Sequence, residues 1–489
     1  MTMTSTQTGE VAIDAASPSQ ERALASVPPQ ARAALSAGDR KAFARRAMLT
    51  APILATMSKL ALPTIVVLFA QTLVGVAETY YVGFLGRDAL VGVSLVFPVL
   101  MLMTMTSAGG IGSGVGSAVA RAIGAGRQED ADALVWHALV AAIAFGLLFS
   151  AGAILHGPAL YRALGGEGHA LAAALSYSSF VFAGAVPIWI VNLMSAALRG
   201  VGNVRVPALV VLLGAVVLIP LSPAFIFGVG PFHGFGVAGA GIAVSTYYTF
   251  AAVALLRYMA RGGSGLVLKR RRFETRLFRD ILGVGIIAAI GGLQINVTVI
   301  LVTAAVGLFG VDALAGYGVA SRLDYLLIPL LFGLGTAVLT MVGANVGAGN
   351  LARSRRIAWT GTLIGFGFTE TIGVLAALFP TTWIGLFSRD ASVLAAGAMY
   401  LRIVAPVYGA IGATFVLSFA SQGGGRPAWP ILGGTARLII AAGLGWLAVA
   451  QFGVGRPTLF LIIAAASVTS ALICVGATLA GAIWRVGPE

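Results

Sequence analysis

The stretch ALPTIVVLFAQTLVGVAETYYVGFLGRDALVG, residues 61–92, decides the fold. From Ala61 to Tyr81 its only charge is Glu78, and a run of roughly 20 apolar residues is what a helix needs to cross the hydrocarbon of a bilayer. Counting back from Glu78 at helical spacing gives Gly75, Gln71 and Thr64, so the small and polar positions share one face. That face must turn away from lipid, because an ionised carboxylate at membrane depth costs about 2.5–3.5 kcal/mol on insertion scales. Glu78 therefore reads as a proton- or cation-binding carboxylate on a transport pathway. The plainer reading is an acid close enough to Gly86, about two helical turns on, to reach the membrane interface.

The rest of the chain follows the same pattern. Its 489 residues are 58% hydrophobic and only 10% charged, against about 25% charged in soluble domains. The mean hydropathy is +0.95. The 65 glycines suit helices that approach one another closely inside a membrane. A formal net charge of +14 invites a nucleic-acid partner, but the basic residues sit in short loops between apolar runs, where the positive-inside rule puts them. No nucleic-acid partner is expected. Cys474, the single cysteine, excludes an intrachain disulfide and a cysteine-based metal site. The four histidines, His137, His156, His169 and His233, fall at expected span ends or loops without metal-ligand spacing. Neither a metal nor a cofactor is expected. The first 45 or so residues contain no apolar signal-peptide core and read as a mildly basic tail.

Hydrophobic runs bounded by Gly, Pro and charge give twelve spans: 57–83, 92–119, 132–155, 169–198, 205–228, 236–258, 280–307, 312–344, 356–380, 391–421, 428–451 and 457–482. They are too long and too charge-poor for barrel strands, so the fold class is an all-α integral membrane protein. With the N-terminus inside, the cytoplasmic loops collect Arg121, Arg127, Arg199, Arg205, Lys269–Arg272, Arg353, Arg355, Arg356, Arg426 and Arg485. The outer loops keep Arg87, Arg162, Arg389 and Arg456. Both termini are thus expected in the cytoplasm, and Glu78 in the outer half of the membrane.

The chain also repeats itself. FLGRDALVG (84–92) recurs as LFGVDALAG (308–316), with Asp88 and Asp312 separated by 224 residues. IGAGR (123–127) recurs as VGAGN (346–350), and RGVGNVRVP (199–207) as QGGGRPAWP (422–430), both offset by 223. Two six-helix lobes are expected, related by a parallel repeat about an axis along the membrane normal. The boundaries are a tail over 1–55, an N-lobe over 56–258, a basic linker over 259–279 and a C-lobe over 280–489. The linker reads as a solvated positive-inside loop, the alternative being a lipid-headgroup or partner site.

Inside the spans stand further polar groups. Arg322 and Asp324, two apart, face different sides of one helix, and each is expected to find a partner on another. Glu370 is expected to pair with Arg402 or Arg437 as a structural clamp. Gln294 and Asn296 read either as substrate contacts or as helix–helix hydrogen bonds. The glycine-rich run SAGGIGSGVGSAVARAIGAG has no preceding strand, so a dinucleotide site fails its context test. The chain has no Walker A pattern, no catalytic Ser/His/Asp set and no H-E-x-x-H. It does not read as an enzyme.

These residues together resemble the multidrug and toxic compound extrusion (MATE) transporters over nearly the whole chain after about residue 55. The likeness rests on Pro63 followed by A-E-T-Y-Y-V-G-F-L-G, on ALRGVGNVRVP (197–207), on GFGVAGAGIAVST (234–246) and on SRLDYLLIP…VGANVGAGN (321–350). It implies twelve helices around a central cavity and export of organic cations by proton or sodium antiport. By position, Glu78 matches the family's ion-coupling aspartate. Where many bacterial relatives read N-x-x-x-D-P in the fifth span, this chain reads LIPLSP, with Leu218 and Ser222 at the Asn and Asp places. The seventh-span glutamate of other branches is not evident, and Gln294 lies in that region. Both changes remove oxygen ligands that a hard cation favours. The expectation is therefore a monomeric, multi-pass transporter of the cytoplasmic (inner) membrane that exports small amphiphilic, cationic compounds. Proton rather than sodium is the expected coupling ion. Glu78 is the coupling group, and Gln71, Tyr81, Ser222, Gln294, Asn296 and Asp324 are candidates for the substrate or proton path. The alternative is a lipid-linked or polysaccharide flippase of the same superfamily, whose anionic cargo would use Arg322, Arg402 and Arg437.

Overall fold

The computed structural model describes residues 45–262 and 265–484. The expected tail through residue 44, linker residues 263 and 264, and Arg485 lie outside the described residues. Eleven helices are each long and apolar enough to cross a membrane, and one bent pair makes a twelfth. In chain order they are α1 (Ile53–Gly83), α2 (Arg87–Gly124), α3 (Gln128–Ala163), α4 (Gly168–Ala183 with Ala185–Gly200), α5 (Arg205–Phe227) and α6 (Val237–Ala260). Then follow α7 (Thr275–Gly307), α8 (Val311–Gly347), α9 (Leu351–Leu378), α10 (Ala391–Gly423), α11 (Ala428–Phe452) and α12 (Arg456–Leu479).

The helix edges depart from the expected spans where capping chemistry overrides hydropathy. α2 starts at Arg87 rather than near 92, with Asp88 in its first turn, where unpaired N–H groups favour negative charge. α3 starts at Gln128 with Glu129 and Asp130 in the same role. Two spans expected to be continuous are broken. α4 bends by 48° at Gly184, near Pro187, which has no N–H to bond across the break. The Ser245 hydroxyl of α6 occupies the notch there and donates to Phe180 O at 2.6 Å. α10 passes through a 3₁₀ turn over Ala405–Val407, around Pro406.

The basic linker is not solvated throughout. Leu266 is fully buried, the Val267 N–H donates to Asp132 at 2.8 Å, and Gln128 donates to Gly265 O at 2.9 Å. The Glu274 N–H donates to His137 Nε2 at 2.9 Å. That leaves the His137 proton on Nδ1, 2.8 Å from Ala133 O. His137 is thus a buried residue near the start of α3 that straps the linker to that helix. Among the described linker residues, Ala260, Arg261, residues 269–276 and Arg279 stay exposed, whereas Leu277 is buried.

Packing between the two halves is reciprocal. α1 packs on α5 of its own half and on α8 of the other, while α7 packs on α11 and on α2. On α1, Met57, Leu60 and Ala61 belong to the apolar core of the second half, whereas Val67 and Val82 belong to that of the first. The halves meet through glycines. A Cβ on Gly124 would stand 1.9 Å from Ala344 O, and one on Gly347 would stand 2.0 Å from Arg121 O. On Gly114 it would meet Ile281 O at 2.1 Å. Polar contacts reinforce this end. Arg121 pairs with Asp280 and donates to Ser117 Oγ, and Ser117 donates to Gln422 O. The Thr340 hydroxyl reaches Arg199 O at 3.2 Å. The contacts run inward as far as Asn296, which donates to Met105 Sδ at 3.3 Å. Among the described residues no hydrogen bond, ion pair or ring contact joins the halves beyond that level. The contacts that join the halves are thus gathered at the arginine-rich end.

Candidate functional site

Each half carries an enclosed carboxylate with tyrosines in its neighbourhood. In the first half, α1 turns Glu78 toward α4 and α6. Its Oε1 is enclosed and has no hydrogen-bond partner. Tyr177 of α4 and Tyr247 and Tyr248 of α6 lie close enough to feel its charge. Tyr177 and Tyr247 are buried, the Tyr247 hydroxyl also lacks a partner, and the Tyr247 and Tyr248 rings are 4.6 Å apart. Among the described residues no arginine or lysine forms an ion pair with Glu78. A carboxylate enclosed without a counter-charge is neutralised most directly by a proton or a bound cation.

In the second half, α8 presents Asp324 to α10. Tyr400 donates to its Oδ2 at 3.0 Å and Tyr408 donates to Oδ1. Tyr317 stacks edge-on against Tyr400 at 5.2 Å, and Arg437 of α11 is near enough to act on Asp324 electrostatically. The Arg437 Nε is enclosed without a partner. Asp324 is therefore satisfied where Glu78 is not. Its neighbour Arg322 lies over the Phe387 ring, 5.4 Å from the centroid. The two residues do take separate partners.

The remaining candidates are dispersed. Gln71 is half-buried and forms no hydrogen bond among the described residues. Tyr81, also half-buried, packs on the core of the first half and lies 6.1 Å from the Tyr80 ring. Ser222 is wholly buried on α5, its hydroxyl without a partner. Gln294 donates to Thr435 Oγ1 at 2.7 Å, which ties α7 to α11. Asn296 donates to Gly292 O at 3.0 Å as well as to Met105.

Glu370 departs from its expected pairing with Arg402 or Arg437. It accepts the Gly409 N–H at 2.7 Å. Gly409 lies in the first turn after the Pro406 break, where N–H groups lose their intrahelical partners. Glu370 acts as a cap supplied by a neighbouring helix. The tyrosines around both carboxylates escaped the sequence reading, since a tyrosine in an apolar span has no local signature. One signal was available: Tyr177 and Tyr400 are 223 residues apart, at the spacing of the repeat.

Twelve apolar helices, halves joined at one end and an enclosed carboxylate in each half are the architecture of a helical membrane transporter. The MatE family model matches residues 63–224 and again 288–447, and the chain belongs to that family, the multidrug and toxic compound extrusion transporters. It is 25% identical over 406 residues to the FAD transporter of Shewanella oneidensis, across 81% of this chain and 88% of that one. To the probable multidrug resistance protein NorM of Thermotoga maritima it is 28% identical, across 71% and 75%. A MOP superfamily transporter from Pyrococcus furiosus, described as having a binding pocket of reversed polarity, shares the fold. Its TM-score is 0.82 at 23% identity, over 90% of this chain and 98% of that one.

Proposed function

We propose that this transporter exports small amphiphilic organic cations across the cytoplasmic membrane by proton antiport, with Glu78 as the coupling carboxylate. The observation that carries the reading is the enclosed, unpaired Glu78 Oε1 among Tyr177, Tyr247 and Tyr248. A site that must load and release a proton needs a carboxyl group with no fixed counter-ion, and Asp324, held by two phenols, is less suited to that exchange. The parallel repeat is the frame for alternating access. It is supported by the reciprocal pairs Gly124 with Ala344 and Arg121 with Gly347, each member 223 residues from its counterpart. Contacts of that form are what a two-fold axis between like-oriented halves produces. Both termini then lie at the arginine-rich, cytoplasmic end. The test is substrate flux in proteoliposomes under an imposed pH gradient. Wild type should concentrate a lipophilic cation and Glu78→Gln should not; equal uphill transport by both would overturn the reading.

An anionic cargo is the second reading. Arg199 lies at the closed junction of the halves, facing a small cavity with Ser113, Thr336 and Thr340, and forms no ion pair among the described residues. The similarity to an FAD transporter points the same way. Competition of the cation flux by flavin nucleotides, and its absence with other organic anions, separates the two readings.

A further inference from the structure

At the arginine-rich end, a cavity of about 360 Å³ opens between the start of α7 and the turn joining α10 to α11. Its walls include Arg279 and Ile287 of α7 and Arg426, Pro427 and Trp429 of the turn and α11. Neither arginine forms an ion pair among the described residues. The one acid in the wall, Asp280, is engaged by Arg121. The cavity is therefore cationic at its mouth and apolar behind it. Gly283, Ile287, Ile290 and Gln294 share one face of α7 by helical spacing. Gln294 meets Thr435 of α11 at the far end of that face. Between cavity and Gln294, Ile290 is 44% exposed and Leu432 of α11 is 51% exposed. A groove thus leads from the charged mouth into the span, with Trp429 at the level where indoles sit at a membrane interface.

We infer that this cavity binds the phosphate of an anionic phospholipid, with Arg279 and Arg426 on the headgroup and an acyl chain along Ile287, Ile290 and Leu432. The guanidinium fork suits phosphate oxygens, and basic pockets between helices at a membrane face take such headgroups. A soluble phosphate would use the arginines but leave the apolar groove empty. Because Asp280 forms both the cavity wall and half of the interlobe pair with Arg121, occupancy bears on the end where the halves join.

The test uses the full chain in nanodiscs or detergent. Native mass spectrometry with phosphatidylglycerol against phosphatidylcholine should show a preference for the former. Arg279→Gln with Arg426→Gln should lower that preference about thirty-fold, at one interfacial charge per arginine. Replacing Lys269–Arg272 by glutamine should leave most of it. An unchanged preference in the arginine pair, or its loss only in the linker variant, would overturn the assignment. Glycerol phosphate at matched concentration should not displace the lipid; if it does, the ligand is a soluble anion. Should the double variant fail to fold, a photoreactive phosphatidylglycerol on wild type decides instead. Labelling of residues 283–290 and 425–432 is expected, and labelling confined to the linker refutes the site.

Discussion

Glu78 and Asp324 are both enclosed carboxylates among tyrosines, but they differ in what completes them. Asp324 accepts two phenolic hydrogen bonds and has Arg437 near it, whereas Glu78 Oε1 has none. Asp324→Asn keeps one acceptor but sets an amide N–H against the other phenol, and a hydrogen bond to a charged group contributes about 1.5–3 kcal/mol. Asp324→Asn is expected to lower the melting temperature while leaving the ratio of pH-driven to downhill transport near wild type. Glu78→Gln is expected to do the reverse, with stability held and pH-driven uphill transport lost. Glu78→Asp should keep part of the coupling, since the carboxyl group survives with a shorter reach. Thermal melting and proteoliposome flux, measured on the same preparations, check all three. If Asp324→Asn abolishes the coupling and Glu78→Gln spares it, the assignment of roles is reversed.

At the scale of elements, breaks and turns organise the molecule. Glu370 caps the helix that restarts after Pro406, so Glu370→Ala leaves the Gly409 N–H without its partner. A loss of about 1–3 kcal/mol is expected, read as a drop in melting temperature with the coupling ratio unchanged. Glu370→Gln keeps an acceptor and should lose less. These caps also explain what was legible in the sequence. The three repeat anchors end on the turns that enter α2 and α8, leave α2 and α8, and leave α4 and α10. There Gly86 and Gly310, Gly126 and Gly349, and Gly202 and Gly425 all have positive φ. A left-handed turn admits little but glycine, so these positions cannot drift and the repeat stays readable. The twelve spans were readable because length and hydropathy are local properties. The breaks at Gly184 and Pro406 were not, because a proline in a span is tolerated when a neighbour supplies the missing partner, and Ser245 and Glu370 stand far along the chain. The cluster of tyrosines was hidden for the same reason. Three helices have to meet before it exists.

At the scale of the whole molecule, the joined end and the coupling ion make two separable predictions. Gly124 and Gly347 each face backbone across the junction, so a methyl at either must push α2 and α8 apart. Overpacking of this kind costs about 1–3 kcal/mol, and Gly124→Ala and Gly347→Ala should weaken the joined end alike. A Ser113→Cys reporter beneath the junction should label faster with a membrane-impermeant thiol reagent in either background, and unchanged labelling would refute the junction as the gate. If Glu78 alone carries the coupling, as proposed, the coupling ion follows. With Leu218 and Ser222 offering no carboxylate in the fifth span, sodium varied at fixed pH and potential should leave transport nearly unchanged. One carboxyl group exchanges about one proton per substrate, so a monovalent cation moving out against that proton carries no net charge across the membrane. Each unbalanced charge crossing 100 mV is worth about 2.3 kcal/mol, roughly a fifty-fold gradient at 1.4 kcal/mol per decade. Imposing a potassium diffusion potential without a pH gradient should therefore leave a monovalent cation undriven, while a divalent analogue accumulates severalfold. If potential alone concentrates the monovalent substrate in wild type, more than one proton moves per cycle. Asp324 would then have to carry the second, and the same assay on Asp324→Asn, with the potential dependence gone, would locate it.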